Sequence, residues 1–383
     1  MSKLEQLISE LCPNGVEYRK LEKCCNILDR QRKPVTKSAR ETGEYPYYGA
    51  NGIQDYVSDY IFDGTFVLVG EDGSVITKNG NPVVTWAQGK IWVNNHAHII
   101  GEIDGVLLRY LYHFIQTVDV TSLIHGNIPK LTGGDFKAIP IALPPLPVQE
   151  EIVRILDNFT ELTAELTAEL TARKKQYDYY RNSLLSESEL CTDGVEYRKI
   201  KDCFQRLRGT AITAGKMKEI ECEAGEIRVF AGGKTVVNAN EKDIPNANII
   251  RVPAVFVQSR GVIDVIYFEK PFTFKNYMCA YTHSEKTTVK YLFYFLKNNI
   301  QQFRSSASGM GSLPQISLPV TEDFLIPIPP LKEQERIVAI LDKFDTLVND
   351  ISSGLPAEID ERQKQYEYYR NKLLMFKNIN AEV

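Results

Sequence analysis

The chain repeats itself, and that repeat constrains its folding more than any other feature. Glu10-Leu11-Cys12-Pro13-Asn14-Gly15-Val16-Glu17-Tyr18-Arg19-Lys20 returns as Glu189-Leu190-Cys191-Thr192-Asp193-Gly194-Val195-Glu196-Tyr197-Arg198-Lys199. Leu143-Pro144-Pro145-Leu146, with Gln149-Glu150 and Ile152-Val153-Arg154-Ile155-Leu156-Asp157, returns as Ile328-Pro329-Pro330-Leu331, with Gln334-Glu335 and Ile337-Val338-Ala339-Ile340-Leu341-Asp342. Lys175-Gln176-Tyr177-Asp178-Tyr179-Tyr180-Arg181-Asn182 returns as Lys364-Gln365-Tyr366-Glu367-Tyr368-Tyr369-Arg370-Asn371. Between these anchors the halves diverge, leaving echoes such as Arg109–Phe114 against Lys290–Phe295 and Ile128–Leu131 against Leu313–Ile316. A repeated frame with divergent contents predicts two similar sites that bind different things.

The shared segments read as long helices. Ile152, Leu156, Phe159, Thr163, Leu166, Leu170, Arg173, Tyr177, Tyr180 and Leu184 alternate steps of four and three, which is a heptad seam. Residues 149–185 would span roughly 55 Å at ~1.5 Å per residue. The second seam runs Ile337, Leu341, Phe344, Val348, Ile351, Leu355, Ile359, Arg362, Tyr366, Tyr369, Leu373, Phe376, with a four-residue stutter where Gly354-Leu355-Pro356 would bend or interrupt it. Taken singly, each stripe reads as core packing or an oligomerising coiled coil. The duplication favours an intramolecular spacer, with the two helices antiparallel. The expected organisation is a globular region over 1–148, a helix over 149–186, a second globular region over 187–332, and a helix and tail over 333–383. The globular regions read as mixed α/β: Thr65–Val69 and Ala254–Val257 look like strands, and Leu107–Gln116 and Val289–Lys297 like short helices.

A chain of 383 residues with 43% hydrophobic and 25% charged content supports more than one domain. Its start carries acids in place of an apolar signal core, and no apolar run approaches a membrane span. Seven cysteines without paired CxxC spacing argue against a disulfide scaffold or zinc ribbon and fit a reducing cytoplasm. The net charge of −4 counts mildly against nucleic-acid binding by the chain alone.

Catalytic signatures are weak. Neither Pro-Pro pair follows the Asn or Asp of an amino-methyltransferase tetrapeptide; Gly309-Met310-Gly311 is a lone GxG, and Gly232-Gly233-Lys234-Thr235 lacks the leading part of a Walker loop. His96-Ala97-His98 would put two imidazoles on one strand face, with too few further ligands for a metal. Glu71-Asp72 with Lys78 reads as a loop in preference to a nuclease cluster. DNA contacts are the remaining chemistry. Arg30, Arg32, Lys33, Lys37 and Arg40 form a basic stretch, echoed by Arg206, Arg208, Lys216 and Lys218, and such side chains suit phosphates. Asn51, Asp72, Ser74, Lys78, Asn94, Asn95 and His96 are candidate base readers in the first half; Lys234, Asn238, Gln258, Ser259, Arg260 and Asn276 are candidates in the second. A solvated basic loop is the competing reading for each cation.

The frame as a whole, with its twice-used proline-rich lead into Gln-Glu-x-Ile-Val, resembles the specificity subunits of type I restriction–modification systems over essentially the entire chain. Tyr47–Gly52, Val69–Ser74 and Trp92–His98 look like one type of target-recognition domain. The tandem Thr163-Ala164-Glu165-Leu166 and Thr167-Ala168-Glu169-Leu170 units resemble a subfamily in which their number sets the gap in the DNA site. The resemblance implies a non-catalytic DNA reader with one half-site per globular domain. Leu166, Leu170, Tyr177, Tyr180, Tyr366 and Tyr369 would form the spacer and docking surface. Two modification subunits would supply S-adenosylmethionine and adenine methylation, and restriction subunits would supply ATP- and magnesium-dependent translocation and cleavage. The alternatives are a protein-binding scaffold and a self-contained methyltransferase or nuclease.

Overall fold

A computed structural model describes residues 2–73, 75–190, 195–232, 235–308 and 314–380. The chain divides into two compact units, residues 1–167 with 358–383, and residues 168–357.

The first unit contains α1 (Lys3–Leu11), β1 (Glu17–Lys20), β2 (Asn26–Ile27), β3 (Thr42–Gly49), β4 (Gly52–Val57), β5 (Phe62–Gly70), β6 (Val84–Val93), β7 (Ala97–Gly101), α2 (Leu108–Ile115), β8 (Ile124–His125), β9 (Lys130–Leu131), α3 (Gly133–Ala138) and β10 (Pro140–Leu143), followed by the first part of α4 (Leu146–Leu184). Six strands form one sheet in the order β2-β7-β5-β6-β3-β4. The apolar run in β5 is continuous because both faces are covered. Val67 and Val69 join the cluster containing Tyr110, Leu111, Phe136, Ile152 and Leu156, while Phe66 and Leu68 join Phe62, Ile91, Val93 and Ile99.

The second unit contains the rest of α4, then α5 (Glu187–Leu190), β11 (Tyr197–Lys199), α6 (Ile200–Cys203), β12 (Gln205–Leu207), α7 (Ala214–Glu219), β13 (Ile227–Phe230), β14 (Val236–Ala239), β15 (Ala254–Gln258), β16 (Asp264–Phe268), β17 (Phe272–Phe274), β18 (Cys279–Thr282), α8 (Lys286–Asn298), α9 (Ile300–Ser305), α10 (Leu318–Glu322), β19 (Leu325–Pro327) and α11 (Leu331–Asn349). Its strands form a four-stranded sheet, β12-β18-β15-β16, a three-stranded sheet, β14-β13-β17, and the β11-β19 pair. In β15, Val255 and Val257 face the cluster of Tyr281, Tyr291, Leu292, Ile337 and Leu341, and Ala254 and Phe256 face that of Phe230, Phe272 and Phe274.

The repeated frame makes the same bonds in both units. Tyr110 donates to the Ala142 carbonyl at 2.8 Å, and Tyr291 to that of Pro327 at 3.0 Å. Arg109 and His113 hold Asp157, as Lys290 and Tyr294 hold Asp342. Gln149 and Gln334 each donate to the carbonyl of a frame proline at 2.8 Å.

The Lys-Gln-Tyr segments are exchanged. The copy in α12 (Leu355–Leu373) completes the first unit, where Phe159 stacks on Tyr369 at 5.3 Å and Tyr366 donates to His113 Nδ1. The copy in α4 completes the second, where Phe344 stacks on Tyr180 at 5.4 Å. There the chain passes α11 antiparallel, since Tyr180 meets Phe344 and Glu189 meets Arg336. Arg370 and Arg181 lie over Tyr366 and Tyr177, both at 5.3 Å.

The second seam is interrupted where Gly354-Leu355-Pro356 is expected to bend or break it, between α11 and α12. Asp350 accepts from Ser352 and Ser353 in the turn between α11 and α12, and these bonds hold its carboxyl down at about 2. Ile351 is 85% exposed and leaves the seam. A Cβ at Gly354 would meet the Thr346 carbonyl oxygen at 2.4 Å, so only glycine allows this close turn. Cysteines among the described residues are unpaired thiols.

Candidate nucleic-acid interface

In each unit an equivalent set of bonds draws three loops together, backbone to backbone except that the Ser259 hydroxyl stands in for one N–H in the second unit. In the first, Asn94 N–H donates to the Tyr48 carbonyl at 3.1 Å, tying the loop after β6 to the β3–β4 turn. Glu71 N–H donates to the His96 carbonyl at 2.9 Å, and Leu131 N–H to that of Glu71 at 2.8 Å. Gly73, at φ +81°, donates to the Pro129 carbonyl at 2.9 Å. In the second, Lys275 N–H donates to the Phe230 carbonyl at 3.0 Å, and Ser259 Oγ to that of Tyr277 at 2.6 Å. Ile316 N–H donates to Ser259 and Gly261, at φ +80°, to Pro314, both at 2.9 Å. Isolated bridges pair Asp72 with Lys130 and Arg260 with Gln315.

These bonds align positions whose side chains differ, apart from one asparagine pair. Asp72 corresponds to Arg260, Asn95 to Asn276, His96 to Tyr277 and Lys130 to Gln315. Asn51, Asn95, Lys130, Arg260, Asn276 and Gln315 are exposed; Asp72, His96 and Tyr277 are partly so. Asp72 meets His96 Nδ1. Lys130, Tyr277 and Gln315 were not singled out from the sequence, although the echo of 128–131 in 313–316 carried the signal for Lys130 and Gln315.

Other expected contacts have structural duties. Asn94 is 2% exposed: its amide donates to Gln54 and its oxygen accepts from His96 N–H. Gln258 and Ser259 are buried. Arg32 bonds Glu71 at 2.5 Å and the Ala97 carbonyl at 2.8 Å, bracing the loop from behind. Arg40 lies over Tyr47 and pairs with Asp55. Arg206 pairs with Glu322 and Lys216 with Glu219, while Asn238 accepts from Arg228. Arg30, Lys33, Lys37, Lys78, Arg208 and Lys218 are exposed. Ser74, Lys234 and the 309–311 glycine pair lie outside the described residues.

The expectation that His96 and His98 share a strand face is corrected. His96 precedes β7 and is half-exposed, whereas His98 is buried and stacked on Phe136. His98 Nδ1 faces Asp29 at 2.7 Å and Nε2 the Leu131 carbonyl at 3.0 Å. Burial pushes the Asp29 carboxyl up, but the His98 bond, the Ile99 N–H and Arg32 together hold it below its ordinary range. Asp29, Glu71 and His98 bring ligand atoms within 4.8 Å of one another. Arg32 and Lys130 already neutralise those carboxylates, and both imidazole nitrogens are engaged, so the set is a loop brace.

The model of the type I restriction modification DNA specificity domain matches twice, over residues 13–173 and 192–361. The chain belongs to the type I restriction–modification specificity subunits. A Haemophilus influenzae protein named as such a subunit is 38% identical over 379 residues, covering 94% of this chain and 96% of its own. The EcoR124I/EcoR124II specificity subunit of Escherichia coli is 37% identical over 293 residues, covering 70% and 71%. The crystal structure of an S subunit from M. genitalium shares the fold, with a TM-score of 0.66 at 16% identity over 94% of this chain and 97% of that one. This specificity subunit therefore has a DNA sequence-recognition role, and no described helix is long and apolar enough to cross a membrane.

Proposed function

We propose that each three-loop face reads one half of an asymmetric, gapped DNA site. The carrying observation is a common hydrogen-bonded scaffold that displays Asp72, Asn95 and His96 in one unit and Arg260, Asn276 and Tyr277 in the other. Amides, acids and guanidiniums on fixed loops are the groups that distinguish base edges. Replacing residues 26–138 with the matching region of another specificity subunit tests this. Methylation mapping should show one half-site changed and the other kept; a change in both would refute independent reading.

The chain works in the cytoplasm and performs no chemistry of its own. Two modification subunits bring S-adenosylmethionine and methylate adenine, and restriction subunits bring ATP and magnesium. Support for two equivalent docking sites comes from the repeated motif, whose Tyr179 and Tyr368 are 68% and 60% exposed in different units. Sharing phosphate contacts with these partners accommodates the net charge of −4. Purified alone, the chain is expected to transfer no labelled methyl groups to DNA; incorporation would refute this.

The Thr-Ala-Glu-Leu units set the gap. A third unit after Leu170 adds roughly 6 Å of helix against ~3.4 Å per base pair. The recognised gap should lengthen by between one and two base pairs with its bases unaltered. An unchanged gap in an active enzyme would refute the ruler.

A further inference from the structure

We propose that Arg260 reads a guanine in the half-site served by the second unit. This rests on the two-site reading above and adds the residue and the base.

The main chain at Arg260 is fixed. It follows the buried strand β15, bridges Gln315, and is flanked by the Ile316-to-Ser259 and Gly261-to-Pro314 bonds, both 2.9 Å. Its side chain is exposed and has no hydrogen bond or ion pair among the described residues. Several other arginines of the unit are committed, Arg206 to Glu322, Arg251 to Glu241 and Arg304 to the Ile263 carbonyl. Arg208 is also exposed without a side-chain partner among the described residues, but it lies outside the bonds that brace the three loops. A charged group held out on a braced loop, without a partner, is set to meet one from outside.

The other unit shows which part of DNA that partner belongs to. The same position there carries Asp72. One Asp72 oxygen meets His96 Nδ1 and the other has no side-chain partner among the described residues. A position facing the phosphate backbone would still repel that carboxylate, so the shared loop points at base edges. Carboxylates and guanidiniums are both base-reading groups, with opposite preferences: the acid accepts from an exocyclic amine, and the guanidinium donates two parallel bonds to guanine O6 and N7. Arg260 is thus matched to a G·C pair approached from the major groove.

The test uses the full chain assembled with its modification subunits. Methylation mapping of the wild type and of the 26–138 exchange identifies the second unit's half-site. Binding is then measured to duplexes in which each base pair of that half-site is replaced in turn, with wild type, R260A and R260K. For wild type, replacing one G·C pair should weaken binding roughly 5- to 150-fold. R260A should erase that discrimination at that pair alone, leaving the other positions and the salt dependence of binding as before. If R260A binds no duplex, R260K decides: recovered binding with reduced preference at that single pair supports base reading, and recovered binding with the full wild-type preference overturns it. The proposal is also overturned if R260A weakens all duplexes equally and lowers the salt slope by about one, the mark of a phosphate contact. An unaltered preference, or a half-site without guanine, overturns it too. Absence of any sequence preference in the wild-type complex would instead refute the two-site reading itself.

Discussion

The two units reach the same loop geometry from differently built sheets. In the first, β6 is one ten-residue strand that pairs with β5 along most of its length and then with β3, joining six strands into one sheet. In the second, the corresponding stretch is cut into β16 and β17 by Glu269-Lys270-Pro271, and the sheet falls into two. Proline cannot donate to a ladder, which accounts for the break. Yet β3 and β13 keep the same antiparallel and parallel neighbours, and the bonds holding the loops recur within a few tenths of an ångström. Sheet continuity is therefore dispensable for the three-loop face; the short bonds at the strand ends define it.

The loops do differ in what braces them. The first unit uses the Arg32, Glu71, Asp29 and His98 network; the second has Ser259 and Cys279 where Glu71 and His98 stand. Arg32→Ala should break the comparison most. It removes the guanidinium shared by two nearly buried carboxylates, leaving Lys130 on Glu71 and His98 on Asp29, and the lost charge-assisted bonds should cost about 2–3 kcal/mol. Hydrogen exchange should show lost protection in β5 and β7 with β15 and β18 unchanged, and methylation mapping should show one half-site relaxed.

Next in size, Tyr110→Phe and Tyr291→Phe each leave a buried carbonyl without its donor. Each should cost its own unit about 1–2 kcal/mol. Equal losses in denaturant melts would sharpen the view that both domains sit on one frame; unequal losses would break it. Gly73→Ala and Gly261→Ala force a side chain into positive φ, at about 1 kcal/mol each. Each should weaken recognition at its own half-site only, read by binding to half-site variants.

The smallest difference is in pH response. Burial lowers the pKa of His113, outweighing its bond to Asp157. Its stabilising contribution is complete above the unfolded value, ~6.5. It is lost as pH falls from there through the lower folded value, because the unfolded chain takes up a proton that the folded unit resists. The corresponding Tyr294 is pushed upward, first by burial and then by its bond to Asp342, and stays neutral throughout that range. Protection of α2 relative to α8, corrected for intrinsic exchange, should therefore fall between pH 7 and 5, and His113→Tyr should abolish the fall.

The repeat, the long helices and the two mixed domains are readable from sequence because identity and heptad spacing are local signals. Asp72, Asn95, Arg260 and Asn276 are also within reach as polar residues between strand-like runs, Asp72 and Arg260 each beside a glycine. The burial of Asn94, Gln258 and Ser259 and the pairing of Arg32 with Glu71 and of Arg40 with Asp55 are not. Asn94 is sealed by Gln54, forty residues away, and Arg32 by Glu71, thirty-nine away. Loop side chains are committed by such distant partners, which composition does not encode. The exchange of the tyrosine-rich segments was likewise hidden, since both copies carry the same seam residues and either could serve either unit.

That exchange has a genetic consequence. A variable domain anchors itself through groups such as Tyr110 or Tyr291, and Arg109 or Lys290, onto frame residues that are nearly the same in both halves. A gene segment encoding a foreign domain, bounded by those repeated sequences, would bring its own anchors and find its frame already in place. Crossing-over within the repeats could then produce a new DNA specificity in one event, with no adjustment elsewhere in the protein.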